Sequence, residues 1–249
     1  MIDSKKRFSD KVDNYVKFRP TYPAKTIELI IQKSNIDQSS AIADIGAGTG
    51  KFTKLLLEQD LQVSAVEPNG NMRGAAEAEL SAYSNFTSIN GSAEQTGLPD
   101  NSIDLITVAQ AFHWFDHDKC KIEFGRVLKP GGHVALIWNR RDKRSAFMAE
   151  YEQIIKRLHN EYPNLTHDKM TAYVFNAFFK NHETFNICWK QPCDFTSLWG
   201  RAQSSSYAPA PGHPNHLPLR DALWALFEKH QQDGKVDFEY ETELIIGSL

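Results

Sequence analysis

The chain has 249 residues, of which 41% are hydrophobic and 24% charged, and its formal net charge is -3. This composition is ordinary for a soluble protein, and the length suits one large α/β domain or one domain with a modest appendage. The mean hydropathy is -0.47, and the sequence has no uncharged apolar run approaching about 18 residues, so we expect no membrane span. The slight acidity disfavours a general nucleic-acid binder, whose affinity for phosphates requires a basic surface. The N-terminal residues are polar, so we expect no secretory signal.

The three cysteines are Cys120, Cys188 and Cys193. Their spacing matches neither the paired short intervals of a zinc site nor an even disulfide framework. We therefore expect reduced thiols in a cytoplasmic protein, with no metal site.

The first 140 residues alternate between helical and strand periodicity. We predict helices over 23–34, 51–60 and 71–80, and a further helix that includes Cys120 and Phe124 and stops at Pro130. Short apolar runs predict five strands, over 41–45, 61–66, 86–89, 103–109 and 133–138. This alternation indicates βαβ units, and therefore a doubly wound, mostly parallel sheet.

The last third has a less regular pattern. We predict a mostly helical stretch over 145–181, strands over 183–195 and 236–246, and an amphipathic helix over 219–227. Four prolines and three serines over 204–218 indicate a loop. The sequence therefore predicts a cover over 140–235, beside a core over 38–140.

A glycine-rich loop follows the first predicted strand, in the sequence Asp44-Ile45-Gly46-Ala47-Gly48-Thr49-Gly50. In a doubly wound fold this position lies at the carboxyl edge of the sheet, where ligands bind. Glycines permit the sharp turn and let a ligand approach the backbone. Glu67 ends the second strand, 67 - 46 = 21 residues after the first glycine. This spacing suits a carboxylate that accepts ribose hydroxyls, so we expect an adenosine-type ligand.

Two ligand classes fit such a loop. The dinucleotide fingerprint places its third glycine one position later, where this chain has Lys51. The observed spacing, with Asp44 two residues before Gly46, is instead common in S-adenosylmethionine-dependent methyltransferases. An NAD(P)-dependent oxidoreductase is the alternative on the same architecture.

Several later segments also resemble the class I, Rossmann-like methyltransferase family, in the expected order. They are Glu67-Pro68-Asn69 with Met72, Gly91-Ser92-Ala93-Glu94, Leu98-Pro99-Asp100 and Val127-Leu128-Lys129-Pro130-Gly131-Gly132. The run Ala109-Gln110-Ala111-Phe112-His113-Trp114-Phe115 resembles more narrowly the trans-aconitate methyltransferase-like small-molecule subgroup. The resemblance implies a single domain over 1–249, with a seven-stranded sheet, helices on both faces and an antiparallel last strand.

The resemblance also implies cofactor contacts. Asp44 and the loop amides would face the amino-acid end of S-adenosylmethionine, Glu67 the ribose, and Met72 one face of adenine. Many relatives have Asp where this chain has Ser92, which leaves the acceptor for the adenine amino group open. The implied cofactor-binding residues are Tyr15, Arg19, Asp44, Gly46, Ala47, Gly48, Thr49, Gly50, Glu67, Pro68, Met72, Ser92, Ala93, Glu94, Gln110 and Ala111.

His113 follows the fourth strand and is the candidate catalytic residue, because imidazole can exchange a proton near neutral pH. Orienting the acceptor and deprotonating it are both open roles, and so is a purely structural one. Trp114 could stack on a substrate or simply pack. Guanidinium groups would bind an anionic substrate; the candidates near the site are Arg19, Arg140, Arg141 and Arg201, with Tyr207 as a further polar group.

The sequence and the family resemblance therefore predict a cytoplasmic methyltransferase that acts on a small molecule, with transfer to a carboxylate or hydroxyl oxygen ahead of nitrogen or carbon. We expect no nucleic-acid or membrane partner, and a monomer or homodimer. The alternatives are the oxidoreductase and a cofactor-binding regulatory protein without transfer activity.

Overall fold

A computed structural model describes residues 20–159, 170, 172–205 and 208–249. Seven strands form one sheet in the order β3-β2-β1-β4-β5-β7-β6. The pairs β1–β2, β1–β4, β2–β3 and β4–β5 are parallel, and β7 is antiparallel to both β5 and β6. This topology confirms the predicted doubly wound fold with an antiparallel last strand.

The strands of the sheet are β1 (Ala41–Ile45), β2 (Gln62–Val66), β3 (Phe86–Ile89), β4 (Ile103–Ala109), β5 (Leu128–Arg141), β6 (Asn181–Cys193) and β7 (Val236–Ser248). The helices are α1 (Ala24–Ser34), α2 (Lys51–Leu57), α3 (Gly70–Leu80), α4 (His117–Val127), α5 (Ala146–Leu158), α6 (Ala172–Phe178), α7 (Phe195–Gln203) and α8 (His216–His230). A short 3-10 helix covers Phe112–Trp114.

The two faces of the sheet are covered by different helices. One apolar cluster contains Phe124 of α4 and Phe178 of α6, together with Trp138 of β5. The opposite cluster contains Ile30 of α1 and Leu56 of α2. Because successive side chains of a strand alternate between faces, each central strand contributes to both cores, which explains its nearly continuous apolar sequence.

Near Pro130 the structure differs from the prediction. We expected Pro-Gly-Gly to separate a helix from a strand that begins at His133, but β5 already begins at Leu128. Its pairing with β4 shifts register between Ile103 and Leu105, so the extra residues form a bulge. A bulge can accommodate a proline, which has no N–H to donate to the ladder.

The predicted cover is built around a third apolar cluster. It contains Tyr151 of α5, Leu198 of α7, Leu223 of α8 and Phe238 of β7. In the predicted helical stretch over 145–181, the described residues form two helices, α5 and α6. Helix α8 begins at His216, inside the predicted loop, and has Pro218 in its first turn, where no N–H donor is needed.

The sheet extends further at one end, because β5, β7 and β6 continue beyond the carboxyl edge of the other four strands. Ala109, at the end of β4, pairs with Ile137, and β5 then continues to Arg141 beside β7. This extension forms a wall next to the point where β1 and β4 end. None of the helices in the described part of the chain is long and apolar enough to cross a membrane.

Candidate functional site

The glycine loop between β1 and α2 has the conformation that the sequence predicts. Gly46, Gly48 and Gly50 have φ angles of 70°, 59° and 77°, in the left-handed region that favours glycine. A Cβ atom at Gly46 would lie 2.7 Å from the Cβ of Ala111, and one at Gly50 would lie 2.7 Å from a methyl carbon of Leu80. The loop therefore requires glycine for its backbone angles and for close packing.

Glu67 lies at the end of β2, against this loop. Its two carboxylate oxygens accept hydrogen bonds from the backbone N–H of Gly48 (2.9 Å) and of Asn69 (2.8 Å). Burial raises the pKa of Glu67, while these two hydrogen bonds act in the opposite direction. Each oxygen retains a lone pair for a further donor, so the carboxylate is fixed in place and able to accept ribose hydroxyls.

Asp44 is buried under the loop. Its carboxylate accepts hydrogen bonds from the hydroxyls of Thr53 (2.6 Å) and Thr107 (2.9 Å). Burial raises the pKa of Asp44 to about 6, against the effect of these two bonds. The carboxylate thus joins β1, β4 and α2 directly beneath the loop.

The loop also contains a buried hydroxyl group. The Oγ1 atom of Thr49 is buried and has no hydrogen-bond partner among the described residues. A buried hydroxyl without a partner is costly. Its position between Gly48 and Gly50 fits a polar group of a ligand bound at the loop.

A second side of the site is formed by the start of α3. Asn69 caps this helix, because its side chain accepts hydrogen bonds from the N–H groups of Asn71 and Met72. The Sδ atom of Met72 would lie 3.9 Å from a Cβ at Gly48, so the thioether borders the loop. Met72 therefore lies beside the site as expected, and half-buried Pro68 precedes the helix.

The segment after β3 contains Ser92, Ala93 and Glu94. Ala93 is buried, and Glu94 accepts a hydrogen bond from the backbone N–H of Asp116 at 3.1 Å. This bond ties the segment to the loop before α4. Ser92 lies in a turn, where its backbone exchanges two hydrogen bonds with Gln95.

Glu123 anchors the same segment, a role that the sequence analysis missed. One of its oxygens accepts from both the N–H (2.8 Å) and the hydroxyl (2.6 Å) of Thr96. Its hydrogen bond with Arg126 is the largest cause that lowers the pKa of Glu123 to about 2. The contact joins residues 27 positions apart in sequence, so no local pattern reveals it.

Gln110 occupies an unusual conformation at the end of β4. Its φ angle is 60°, which is rare for a residue with a side chain. Its N–H donates to the carbonyl of Ile137, and its Nε2 lies 3.4 Å from the carbonyl oxygen of Asn139. Such strain is concentrated at functional sites. The adjacent Ala111 lies against Gly46 of the glycine loop.

His113 lies in the 3-10 helix that follows, at the wall formed by β5. The indole N–H of Trp138 donates to Nδ1 of His113 at 3.4 Å. Trp138 is fully buried, whereas Trp114 is 40% exposed with its ring centroid 4.8 Å from that of His113. The imidazole is therefore fixed from one side by a buried donor.

The candidate arginines lie on opposite faces of the wall. The pairing register puts the side chain of Arg140 on the face of Trp138, where it forms an ion pair with Glu243 at 2.5 Å. Arg141 lies on the other face, 3.1 Å from Glu152. Arg201 also lies on that other face, against Tyr240. Among the candidate arginines that the structure describes, only Arg140 therefore shares a face with His113. The predicted Tyr15, Arg19 and Tyr207 lie outside the described residues.

The residues present fit S-adenosylmethionine. At Gly48 an added Cβ would have only the Met72 Sδ within 4 Å, so a ligand has room to approach the backbone there. The buried hydroxyl of Thr49 lacks a partner among the described residues, and Glu67 presents fixed acceptor oxygens. Across the described ranges, no group of three or more His, Cys, Asp or Glu residues is arranged to hold a metal ion.

Comparisons with known proteins agree with this geometry. Residues 43–136 match a family model described as a methyltransferase domain. An uncharacterized methyltransferase of Mycobacterium tuberculosis is 39% identical over 150 residues, which are 60% of this chain and 59% of that relative. The match thus spans less than two thirds of that relative's own length. An uncharacterized methyltransferase of Geobacillus kaustophilus is 30% identical over 146 residues, which are 57% of this chain and 67% of that protein.

Solved structures share the fold. A protein from Anaeromyxobacter dehalogenans assigned as a type II methyltransferase superposes with a TM-score of 0.69 at 24% identity, covering 93% of this chain and 98% of that one. A Haemonchus contortus phosphoethanolamine N-methyltransferase in complex with S-adenosylmethionine has a TM-score of 0.57 at 16% identity, covering 100% of this chain and 61% of that one.

The fold and the glycine-loop site define a class I methyltransferase architecture. The chain belongs to the S-adenosylmethionine-dependent methyltransferase family, and S-adenosylmethionine is the cofactor of this family. The expected family is thereby confirmed, and the relatives give no support to the oxidoreductase or to the inactive regulatory protein.

Proposed function

We propose that this protein transfers a methyl group from S-adenosylmethionine to an oxygen atom of a small molecule, and that this oxygen belongs to a carboxylate. The observation that supports the acceptor type is the hydrogen bond from Trp138 Nε1 to His113 Nδ1. This bond determines what the imidazole can offer to a substrate.

An imidazole nitrogen that accepts a hydrogen bond has no proton of its own. When His113 is neutral, its proton must therefore be on Nε2. A ring in this tautomer donates a hydrogen bond at Nε2 and has no free nitrogen with which to remove a proton. His113 is thus suited to orient an acceptor that is already deprotonated, and poorly suited to act as a general base.

A carboxylate meets this requirement. S-adenosylmethionine supplies a methyl group that is already activated by its positively charged sulfur. One carboxylate oxygen accepts the hydrogen bond from His113, and the other attacks the methyl carbon. The new C–O bond forms as the C–S bond breaks, which gives a methyl ester and a neutral thioether with no proton transfer. Positioning and exclusion of water then provide most of the rate enhancement.

The predicted residue roles fit this reaction. We assign the ribose to Glu67, one face of adenine to Met72, and the methionine end to the loop around Thr49, above Asp44. Gln110 holds the backbone next to the transferred methyl. The remaining predicted contacts keep the roles given by the family resemblance, and Arg140, on the face of His113, is the candidate partner for the substrate's negative charge.

The size and charge of the chain favour a small acceptor. A net charge of -3 offers no general attraction to a nucleic acid. We assign cofactor binding to residues 38–140 and substrate selection to the cover over 140–235, within one domain. The narrower likeness to trans-aconitate methyltransferase-like proteins agrees with an acidic substrate, and a monomer or homodimer suffices for it.

The test uses S-adenosylmethionine with a tritiated methyl group and a panel of small mono-, di- and tricarboxylic acids. Methyl esters release volatile methanol in alkali, whereas methyl ethers and methylated amines do not. We expect enzyme-dependent label in at least one acid, and its complete release by alkali. Label that enters only alcohols or amines, and resists alkali, would contradict the proposal.

A further inference from the structure

Arg201 of α7 is buried in the cover, on the face of the wall opposite His113. Only 7% of the surface of Arg201 is exposed. The guanidinium lies over the rings of Phe238 (4.8 Å to the centroid) and Tyr240 (5.4 Å) of β7. A charge in such a position loses most of its hydration, which is unfavourable unless a partner compensates for it.

The hydrogen-bond partners of Arg201 fix its orientation but carry no charge. Nη1 lies 2.6 Å from the hydroxyl of Tyr240, and Nη2 donates to Oε1 of Gln191 at 2.9 Å. Burial raises the pKa of Tyr240 to about 12 and also raises the pKa of the nearby Cys193 thiol. Both groups are therefore uncharged at neutral pH, so neither can balance the guanidinium.

No carboxylate pairs with Arg201 within the described ranges. The guanidiniums of Arg140 and Arg141 in the wall do have one, since Arg140 pairs with Glu243 and Arg141 with Glu152. In addition, the Nε atom of Arg201 is buried and has no hydrogen-bond partner among the residues that the structure describes. The guanidinium of Arg201 is thus held in one orientation through Nη1 and Nη2. It retains unused N–H donors and an unbalanced charge.

We propose that Arg201, held by Tyr240 and Gln191, forms a binding site for the carboxylate of a small organic acid. A guanidinium binds a carboxylate through two parallel N–H···O bonds, and this geometry requires the fixed planar fork that Arg201 presents. The site lies across the sheet from His113 and Arg140. It does not depend on the proposed transfer reaction.

The experiment measures the thermal unfolding midpoint of the full chain with increasing citrate, against sodium chloride at equal ionic strength. We expect citrate to raise the midpoint by about 5–10 °C at a concentration 100-fold above its dissociation constant. Arg201→Met should abolish this rise, and Arg201→Lys, which keeps the charge but loses the fork, should weaken citrate binding at least 10-fold.

Two controls separate this site from other anion effects. Arg144→Met removes an exposed guanidinium that is paired with Asp142, and should respond to citrate as the wild type does. Arg140→Met removes the candidate partner of the substrate on the His113 face, so a rise that this variant abolishes and Arg201→Met keeps would belong to the proposed transfer site. A wild-type midpoint that responds equally to citrate and chloride would overturn the proposal. So would a response that persists in both Arg201 variants or disappears only in Arg140→Met. Binding of S-adenosylhomocysteine, measured separately, reports on the proposed function alone.

Discussion

Replacing Glu67 with glutamine changes the cofactor site at a point where the hydrogen-bond geometry indicates how much cofactor affinity is lost. The carboxylate accepts from the N–H of Gly48 at 2.9 Å and from the N–H of Asn69 at 2.8 Å, one on each oxygen. A glutamine has one carbonyl oxygen and one NH2 group. One of the two backbone donors must therefore lose its acceptor and face another donor.

The cost follows from the charge of the acceptor. A hydrogen bond to a charged group contributes about 1.5–3 kcal/mol, and a change of about 1.4 kcal/mol is tenfold in affinity. The glutamine also offers the ribose hydroxyls one acceptor oxygen in place of two. We therefore expect Glu67→Gln to raise the dissociation constant of S-adenosylhomocysteine roughly 10- to 100-fold.

The assay is isothermal titration calorimetry with S-adenosylhomocysteine on the wild type and two variants. Glu79→Gln is the matched control, because Glu79 is an exposed glutamate of α3 whose partner is Lys54. It should bind as the wild type does. An affinity of Glu67→Gln within twofold of the wild type would refute the assignment of Glu67 to the ribose.

Three further predictions concern stability and turnover. Burial raises the pKa of Asp44 from 3.8 to about 6, so its contribution to stability is present below pH 4 and is lost as pH rises through 6. Between pH 4 and 7.5 the free energy of unfolding of the wild type should therefore fall by about 3 kcal/mol at most. Denaturant unfolding of Asp44→Asn should show no such fall, and the same pH dependence in both proteins would contradict the prediction. Because His113 orients the acceptor, His113→Ala should lower kcat by roughly tenfold or more without changing cofactor affinity. An unchanged kcat with the true acceptor would exclude His113 from the reaction. Gly46→Ala should destabilise the fold by roughly 1–3 kcal/mol more than Gly131→Ala, because both glycines have positive φ but only Gly46 has a neighbour within 4 Å of the added Cβ; equal losses would show that the close approach to Ala111 is unimportant.

Much of the fold is visible in the sequence because its strands are short, apolar and bounded by turn residues. The predicted bounds of β1, β3 and β4 match the structure to the residue. Helix α7 was missed, since we extended a strand to residue 195. Its signal was Asp194, which caps the helix by accepting a hydrogen bond from the N–H of Ser197 at 2.7 Å.

The site was predictable only where it is local in sequence. The glycine loop and Glu67 lie on adjacent elements, so spacing alone identifies them. The bond between Trp138 and His113 spans 25 residues and depends on the pairing of β4 with β5. Similarly, the sequence grouped Arg140 with Arg201, whereas the alternation of β5 and β7 places them on opposite faces. Such convergence depends on tertiary structure, which no spacing pattern specifies.

Direct titration of the wild-type protein with S-adenosylmethionine, in parallel with NADH, tests the central claim that the glycine loop is a sulfonium cofactor site. We predict saturable binding of one S-adenosylmethionine per chain in the calorimeter, and no measurable heat with NADH. Tight binding of NADH with none of S-adenosylmethionine would contradict the account.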